Sequence, residues 1–207
     1  MSGFYIDVDK LKKIQDELNA SHKQVAMAYN RALKRTMKKL YKDAVVSFIN
    51  ATSSKNNQEV KKQRVKYYFK KIGDKASLGD GGKIWIGLND VPIGWVKGRI
   101  SQPRARKRQR DEKGRFIKMS GSKGATFDPK APDMATTSYP GAFITVFRGR
   151  KSIFTRVPGE PYLKEAKISI DKAVNNNMKT GDISNPGEIL LEEFTKELTG
   201  IISRGFK

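Results

Sequence analysis

The sequence predicts an α+β fold: N-terminal helices, one of them long, and a C-terminal helix pack on a small, mostly antiparallel sheet that carries a long basic loop. Apolar residues recur at helical spacing through residues 22–49 and again after residue 186. Residues 142–156 hold two short apolar runs around a basic tip with a glycine, which is typical of a β-hairpin. We expect residues 1–207 to form a single domain.

A short helical arm is predicted within residues 1–20. The apolar residues at helical spacing are Ile6, Val8, Leu11, Ile14 and Leu18. Asp7 and Asp9 lie near the expected N-terminal end, where the helix dipole favours a carboxylate. The helix should end near Asn19.

A long helix is predicted over residues 22–49. Ser21 and Gln24 have the spacing of a capping box, in which each side chain bonds the other residue's backbone N–H. The apolar face comprises Val25, Tyr29, Leu33, Thr36, Leu40, Ala44 and Phe48. The polar side carries six cations: Arg31, Lys34, Arg35, Lys38, Lys39 and Lys42. A basic amphipathic helix can also lie on an anionic membrane, but an apolar stripe of this length favours packing in a protein core.

Residues 60–72 predict a third helix, with a strand through the aromatic cluster at 67–69 as the alternative. A glycine-rich break at 79–82 follows. The alternating apolar pattern of residues 84–88 then predicts a half-buried strand, and residues 93–96 predict a return strand.

Residues 97–138 lack apolar periodicity, and we predict a long basic loop or insertion there. Residues 97–118 hold ten Lys or Arg against two acidic residues. Phosphate contacts do not depend on sequence and need no common face, so these cations can bind a polyanion. Five residues are expected to do so: Arg104, Arg106, Lys107, Arg108 and Arg110. No aromatic platform interleaves with them, which indicates contact with a duplex backbone. A solvated run of charge is the alternative.

The hairpin is predicted over residues 142–147 and 152–156, with one part in the core and an exposed tip. Four residues should hold it to the core: Gly141, Ala142, Phe143 and Ile144. The cations of the tip should serve at a subunit interface: Arg148, Arg150 and Lys151.

Residues 162–170 predict a last strand, or a strand that leads into a short helix, and turns are expected at 175–177 and 180–182. Asn185 and Pro186 then provide a helix N-cap and a first-turn proline. The closing helix has an apolar face: Ile189, Leu190, Phe194, Leu198, Ile201 and Ile202.

We predict no catalytic residue, no metal site and no cofactor. One histidine and no cysteine leave neither a thiolate nor a histidine pair for a metal or a catalytic triad. His22 is expected to be a surface residue at a helix start. Two carboxylate pairs are conceivable, Asp74 with Asp80 and Asp128 with Asp133. Both lie in glycine- or proline-rich loops, where acidic residues are ordinary turn residues. We therefore expect the chain not to be an enzyme.

The net charge of +21 is unevenly distributed. Residues 1–72 hold 17 basic and 6 acidic groups, residues 73–159 hold 18 and 7, and residues 160–207 hold 7 and 8. A field this positive favours nucleic acid, an anionic membrane or an acidic protein surface. No apolar run approaches the roughly 20 residues needed to cross a bilayer, so we expect an intracellular chain with no membrane partner.

The following motifs occur in order along the chain: Ala28-Tyr29-Asn30-Arg31-Ala32, an apolar strand running into an arginine-rich loop, Pro140-Gly141-Ala142-Phe143-Ile144, Arg156-Val157, Pro161-Tyr162, Lys167-Ile168 and a basic-tailed helix from Lys196. Taken in this order, they resemble the motifs of the phage minor tail protein Z, or tail completion, family. The resemblance covers most of residues 22–207, and its most specific part is 141–144. Residues 1–20 and the insert around 111–133 carry no signature of the family.

This resemblance implies a non-enzymatic structural protein at the head-proximal end of a long-tailed phage tail, completing the tail and joining it to the head connector around the DNA channel. It implies a homo-oligomer, commonly a hexameric ring. The implied partners are tail terminator or tail tube proteins, head–tail connector proteins and genomic DNA. The protein would occur in the virion tail or neck, and in the host cytoplasm during assembly. The loop cations would then contact DNA or a neighbouring ring. A sequence-independent DNA- or RNA-binding protein is the alternative.

Overall fold

The structure is a computed structural model that describes residues 7–55, 57–73, 81–103, 112–114, 124–147, 149–157, 159, 162–180 and 185–205. It forms two compact units. The first comprises Met1–Ser47, Glu59–Gly87 and Thr180–Lys207, and the second comprises Phe48–Gln58 and Leu88–Lys179. The single domain expected over residues 1–207 stays a prediction.

The elements confirm the predicted α+β class. The helices are α1 (Val8–Glu17), α2 (His22–Thr52), α3 (Asn57–Glu59), α4 (Asp171–Thr180) and α5 (Pro186–Ser203). The strands are β1 (Val65–Phe69), β2 (Gly82–Ile86), β3 (Val91–Pro92), β4 (Gly98–Ser101), β5 (Ala125–Pro129), β6 (Thr137–Tyr139), β7 (Phe143–Phe147), β8 (Arg150–Arg156), β9 (Leu163–Glu165) and β10 (Lys167–Ile168). They pair as β1–β2, β3–β10, β4–β5–β6 and β7–β8–β9, and every described pair is antiparallel.

The core of the first unit is formed by the apolar faces of α1, α2 and α5. Leu11 of α1 is buried in this core, and the rings of Tyr29 and Phe194 meet edge to face with centroids 6.4 Å apart. Other buried members are Val25, Ala28, Ala32, Leu33, Met37, Leu40, Ile72, Leu190, Leu198 and Ile201. Removal of these side chains from water is the main driving force for the unit.

Helices α2 and α5 begin with the caps that the sequence predicts. Gln24 N–H donates to the Ser21 hydroxyl at 3.4 Å, and Ser21 N–H donates back to the Gln24 side chain at 2.8 Å. Gly187 N–H donates to the Asn185 side chain at 3.1 Å. The long helix extends slightly beyond the predicted residue 49, to Thr52.

Two arginines of α2 are neutralised by carboxylates of α5. Glu197 is only 6% exposed, and its carboxylate lies 2.6 Å from the guanidinium of Arg35 and 3.6 Å from that of Arg31. Arg35 also lies 3.4 Å from Glu193. Because the arginines stay partly in water while they pair with a buried carboxylate, the two helices are joined at the border of the core.

The helix predicted over residues 60–72 is correct only as far as Arg64, and from Val65 the strand proposed as the alternative is correct. A π-helical turn at Val60–Arg64 leads directly into β1, which pairs with the predicted strand β2. Tyr67 and Phe69 point to the same face of β1, and they pack against the core together with Ile84 of β2. Burial of one face at a period of two therefore overrides the helix-compatible composition of the segment.

Asn30 of α2 joins this sheet to the helices. Its side-chain amide donates to the carbonyl of Ile72 and accepts from the N–H of the same residue, both at 2.9 Å. The arrangement satisfies the backbone of a residue just after β1, which would otherwise lie next to the core with no partner.

The second unit begins with the last turn of α2, where Phe48 and Ala51 are buried. The return strand predicted at 93–96 is wrong in type. Residues Ile93–Trp95 form a 3-10 turn, although Val96 makes an isolated bridge with Ser54. The described pairing of this segment with Ser54 is limited to Val96, and the preceding 3-10 turn buries Ile93.

The long loop predicted over 97–138 is partly wrong. Strands β4 and β5 lie within this range and β6 ends one residue beyond it, and the three form an antiparallel sheet. Phe127 is fully buried, and Ala131 and Met134 are also buried. Strands of three to five residues are too short to show a clear apolar periodicity, and charged residues separate them along the chain. Their pairing partners are also distant in sequence.

The predicted hairpin is confirmed as β7 and β8, and β9 extends it to three strands. The strand leading into a short helix, offered for residues 162–170, is also confirmed: β9 and β10 precede α4. The turn expected at 175–177 is wrong, because these residues lie within α4, where Ala173 and Val174 are buried. Most of the turn expected at 180–182 lies outside the described residues.

We predict that Asn30→Ala lowers the free energy of unfolding by about 1–3 kcal/mol, because the N–H and carbonyl of Ile72 lose both partners. Urea denaturation followed by circular dichroism measures this change. Asn50→Ala is the matched control, since Asn50 is an exposed asparagine of the same helix. Equal stabilities of the two variants would contradict the proposed role of Asn30.

Candidate functional site

The cations expected to contact a polyanion or a ring, namely Arg104, Arg106, Lys107, Arg108 and Arg110, lie outside the described residues. The structure describes the base from which this segment starts. Ser101, the last residue of β4, pairs with Thr126 of β5. Lys97 and Arg99, next to this base, are exposed. The basic segment therefore leaves from and returns to neighbouring antiparallel strands.

The residues predicted to hold the hairpin differ in burial. Ala142 is fully buried, whereas Phe143 and Ile144 are half-buried. Gly141 is exposed, and its φ of +71° is one that glycine adopts without strain, so this residue serves the turn before β7.

Two further buried anchors of the hairpin are on β8, where sequence reasoning did not place them. Phe154 and Ile153 pair with Phe143 and Ile144, and both are buried. The apolar run in residues 152–156 was the available signal. Because each of these residues pairs with a residue of the same type, the sequence does not show which of the two strands is more buried.

The tip of the hairpin combines cations with exposed apolar side chains. Arg150 and Lys151 are exposed and pair across the strands with Phe147 and Val146. Val146 is 64% exposed and Phe147 is 54% exposed. We call these four residues the hairpin tip. Arg148, the third predicted interface cation, lies outside the described residues. From the sequence alone, the exposed Val146 and Phe147 cannot be distinguished from the buried apolar residues of 152–156.

Tyr139 fixes the turn that precedes the hairpin. Its hydroxyl donates to the carbonyl of Lys167 at 2.8 Å. Burial raises the pKa of this phenol above its usual value, and the nearby carboxylate of Asp90 raises the pKa further, whereas a hydrogen bond with Thr137 opposes the shift. The hydroxyl thus stays protonated and able to donate into the alkaline range.

The cations predicted on the polar side of α2 are all exposed. Arg31 and Arg35 pair with α5, as described above. The lysines of the series, Lys34, Lys38, Lys39 and Lys42, form no ion pair within 4.0 Å in the described part of the chain. They recur at helical spacing and therefore form a continuous basic stripe along the helix.

A further basic surface, which sequence reasoning missed, lies on the outer face of β1 and β2. It comprises Lys66, Tyr68, Lys83 and Trp85, all of them exposed. We call these four residues the β1–β2 outer face. The available signal was the alternation of cations and aromatic residues in 65–69 and 82–86, which the prediction of a helix over 60–72 concealed.

No cluster of three or more His, Cys, Asp or Glu residues able to hold a metal is found in the part of the chain that the structure describes. His22 is exposed, in agreement with the prediction. Asp128 accepts a hydrogen bond from the Thr136 hydroxyl at 2.6 Å, Asp133 is exposed, and the other carboxylate pair lies outside the described residues. Of the helices described, none is both long and apolar enough to cross a membrane.

A cavity of about 210 Å³ lies where α1 and α5 begin. Its acidic lining residues are Asp7 and Glu188. Asp7 accepts a hydrogen bond from the backbone N–H of Lys10, and this bond lowers the pKa of the Asp7 carboxyl. Asp7 therefore caps a helix, and the cavity is a gap between two helix starts.

Comparison with protein-family models, curated proteins and solved structures gave no match. The similarity to the tail completion family accordingly rests on the residues quoted above and stays a prediction.

We predict that Tyr139→Phe destabilises the second unit by about 1 kcal/mol, because the carbonyl of Lys167 loses its donor. The free energy of unfolding measured across pH checks this. The raised pKa means that the wild-type contribution is complete below the usual tyrosine pKa of 10.0 and is lost as the pH rises through the folded-state value. Tyr162→Phe, at an exposed tyrosine, is the control. An unchanged stability at neutral pH would disprove the anchoring role.

Proposed function

We propose that the chain is a non-enzymatic structural protein at the head-proximal end of a long-tailed phage or prophage tail. In this role it forms a homo-oligomeric, commonly hexameric, ring around the DNA channel and joins the tail to the head connector. Its partners are tail terminator or tail tube proteins, connector proteins and the genomic DNA. The ordered series of motifs between residues 22 and 207 suggests this class.

The observation that carries the proposal is the composition of the hairpin tip. Val146 and Phe147 leave more than half of their surface in water, although burial of such side chains is favourable. Arg150 and Lys151 lie directly opposite them on β8. An apolar patch with cations beside it suits an interface with a neighbouring subunit or partner that has an acidic rim.

The location of the tip on a strand pair supports this use. Among the strands that the structure describes, β7 pairs only with β8 and is therefore an edge strand. Edge strands are ready to pair with another chain, and natural proteins protect them or use them in assembly. Near the base of β7, the Ile144 N–H donates a hydrogen bond to the Gln102 side chain at 3.2 Å. The hairpin tip lies beyond this contact.

The net charge supports a role in contact with DNA. The exposed lysines of α2 form a stripe that needs no particular base sequence to bind phosphates. A conduit for a genome must accept every sequence that passes, so charge without base readout is the property required. Subunits that are this positive would repel one another unless DNA or acidic partners neutralised them.

The basic stripe on α2 also favours the second candidate, a sequence-independent DNA- or RNA-binding protein that acts alone. Duplex affinity measured across salt concentration distinguishes the two. A protein of the second kind binds naked duplex tightly as a monomer or dimer, with a steep salt dependence. A neck protein assembles with tail and connector proteins, and its contacts with naked duplex are weak.

We predict that the double substitution Arg150→Glu and Lys151→Glu blocks assembly, because it places like charges against an acidic neighbour at a cost of several kcal/mol. Complementation of a gene deletion measures this as loss of infectious titre, with free tails and DNA-filled heads visible by electron microscopy. We expect a drop of roughly tenfold or more.

The control is Lys12→Glu with Lys13→Glu, which makes the same change in charge on exposed residues of α1. This variant should restore titre. Restoration by the hairpin variant as well would exclude the tip as an interface, and full infectivity of the deletion itself would refute the proposed function.

A further inference from the structure

We propose that the β1–β2 outer face binds single-stranded nucleic acid by stacking bases on Tyr68 and Trp85 while Lys66 and Lys83 contact the phosphates. This activity is separate from a role in a tail, because it needs only the first unit of one chain and no ring.

On this surface, lysines and aromatic residues alternate both along each strand and across the strand pair. Lys66 lies opposite Trp85 and Tyr68 opposite Lys83, so each aromatic residue has a lysine beside it across the strands. The two aromatic residues are diagonal neighbours, which places their side chains about 7–8 Å apart on one face. Two rings at this separation can take two bases of an extended strand, and the lysines between them lie where its phosphates pass.

The aromatic residues of the two faces are used differently. On the inner face, Tyr67 packs against Tyr41 of α2 with ring centroids 5.3 Å apart and contributes to the core. On the outer face, Tyr68 is 54% exposed and Trp85 is 46% exposed. Folding therefore accounts for the inner rings and leaves roughly half of each outer ring in water, where the hydrophobic effect favours a ligand that covers it.

The indole is held in place before any ligand binds. The edge of its six-membered ring lies so close to Gly87 that a Cβ there would come within 2.7 Å of it. The ammonium of Lys66 lies 5.8 Å from the ring centroid, within cation–π range. A ring fixed between a glycine and a lysine loses little conformational entropy on binding, which favours affinity.

The charges identify the class of ligand. Neither strand contains an acidic residue, whereas Lys70 and Lys71 follow β1 and are also exposed. Aromatic rings interleaved with cations match a polymer that alternates flat bases with anionic phosphates. A duplex hides its bases in the stack and could use only the lysines. An acidic peptide would use the lysines but offers no regular series of planar groups for the two rings.

The test measures binding of the full chain to a labelled oligothymidylate of about twenty nucleotides by fluorescence anisotropy. Tyr68→Ala and Trp85→Ala are each expected to raise Kd by about fivefold to a hundredfold, the value of one stacked base. Tyr68→Phe and Trp85→Phe keep a ring and should retain most of the affinity. An abasic oligonucleotide with the same phosphates should bind the wild type about as weakly as the alanine variants bind the intact strand.

The control is Tyr162→Ala, which removes an exposed aromatic residue of the second unit. This variant should bind as the wild type does. Base stacking should also quench the fluorescence of Trp85, a change that Trp85→Phe abolishes while Trp95 remains as the reference. Thermal melting verifies that each variant is folded.

An alanine variant that is folded and binds the oligothymidylate as tightly as the wild type would overturn the proposal. So would equal affinity for the abasic strand, since both results would assign binding to charge alone. Absence of oligothymidylate binding by a wild-type chain that assembles tails would refute this inference and leave the proposed tail function intact.

Discussion

The separation of apolar from cationic residues along each element is the constraint on which the structure depends. A chain with twice as many basic as acidic residues can fold only if its cations are kept in water, because an unpaired buried charge is prohibitively costly. Helix α2 achieves this at a period of 3.6, with Tyr29, Leu33 and Met37 buried and its lysines exposed. Strands β1 and β2 achieve it at a period of two, with Tyr67 inside and Lys66 outside.

The same constraint explains the acidic C-terminal helix. Of the three segments 1–72, 73–159 and 160–207, only the last has no positive excess, and α5 places Glu193 and Glu197 against the arginines of α2. The most buried carboxylate therefore lies where two cations approach it. Three lysines of α2, Lys34, Lys38 and Lys42, form no ion pair within 4.0 Å in the described part of the chain, and their positive field is available to a ligand.

The sequence predicted the elements whose information is local. Helices α2 and α5 and the β7–β8 hairpin each carry their own periodicity, cap or turn, so their positions were predictable within a few residues. β1 was assigned to a helix because only its pairing with β2 and its contact with the core reveal the period of two. Strands β4 to β6 were missed for a similar reason, since short strands joined through a charged segment depend on distant partners. For the candidate site, the sequence predicted Arg150 and Lys151 at the tip of the hairpin, and their role at an interface stays a prediction. The exposed Val146 and Trp85 could be recognised only from burial.

Both proposals assign the excess charge to binding a polymer and to contacts between chains, with no reaction performed. The most direct test of the structural role is the copy number of this chain in purified infectious particles. Quantitative mass spectrometry determines this number against a tail protein of known stoichiometry. The account predicts a small, fixed number of copies that matches one ring per particle. Infectious particles that contain none of this chain would contradict it.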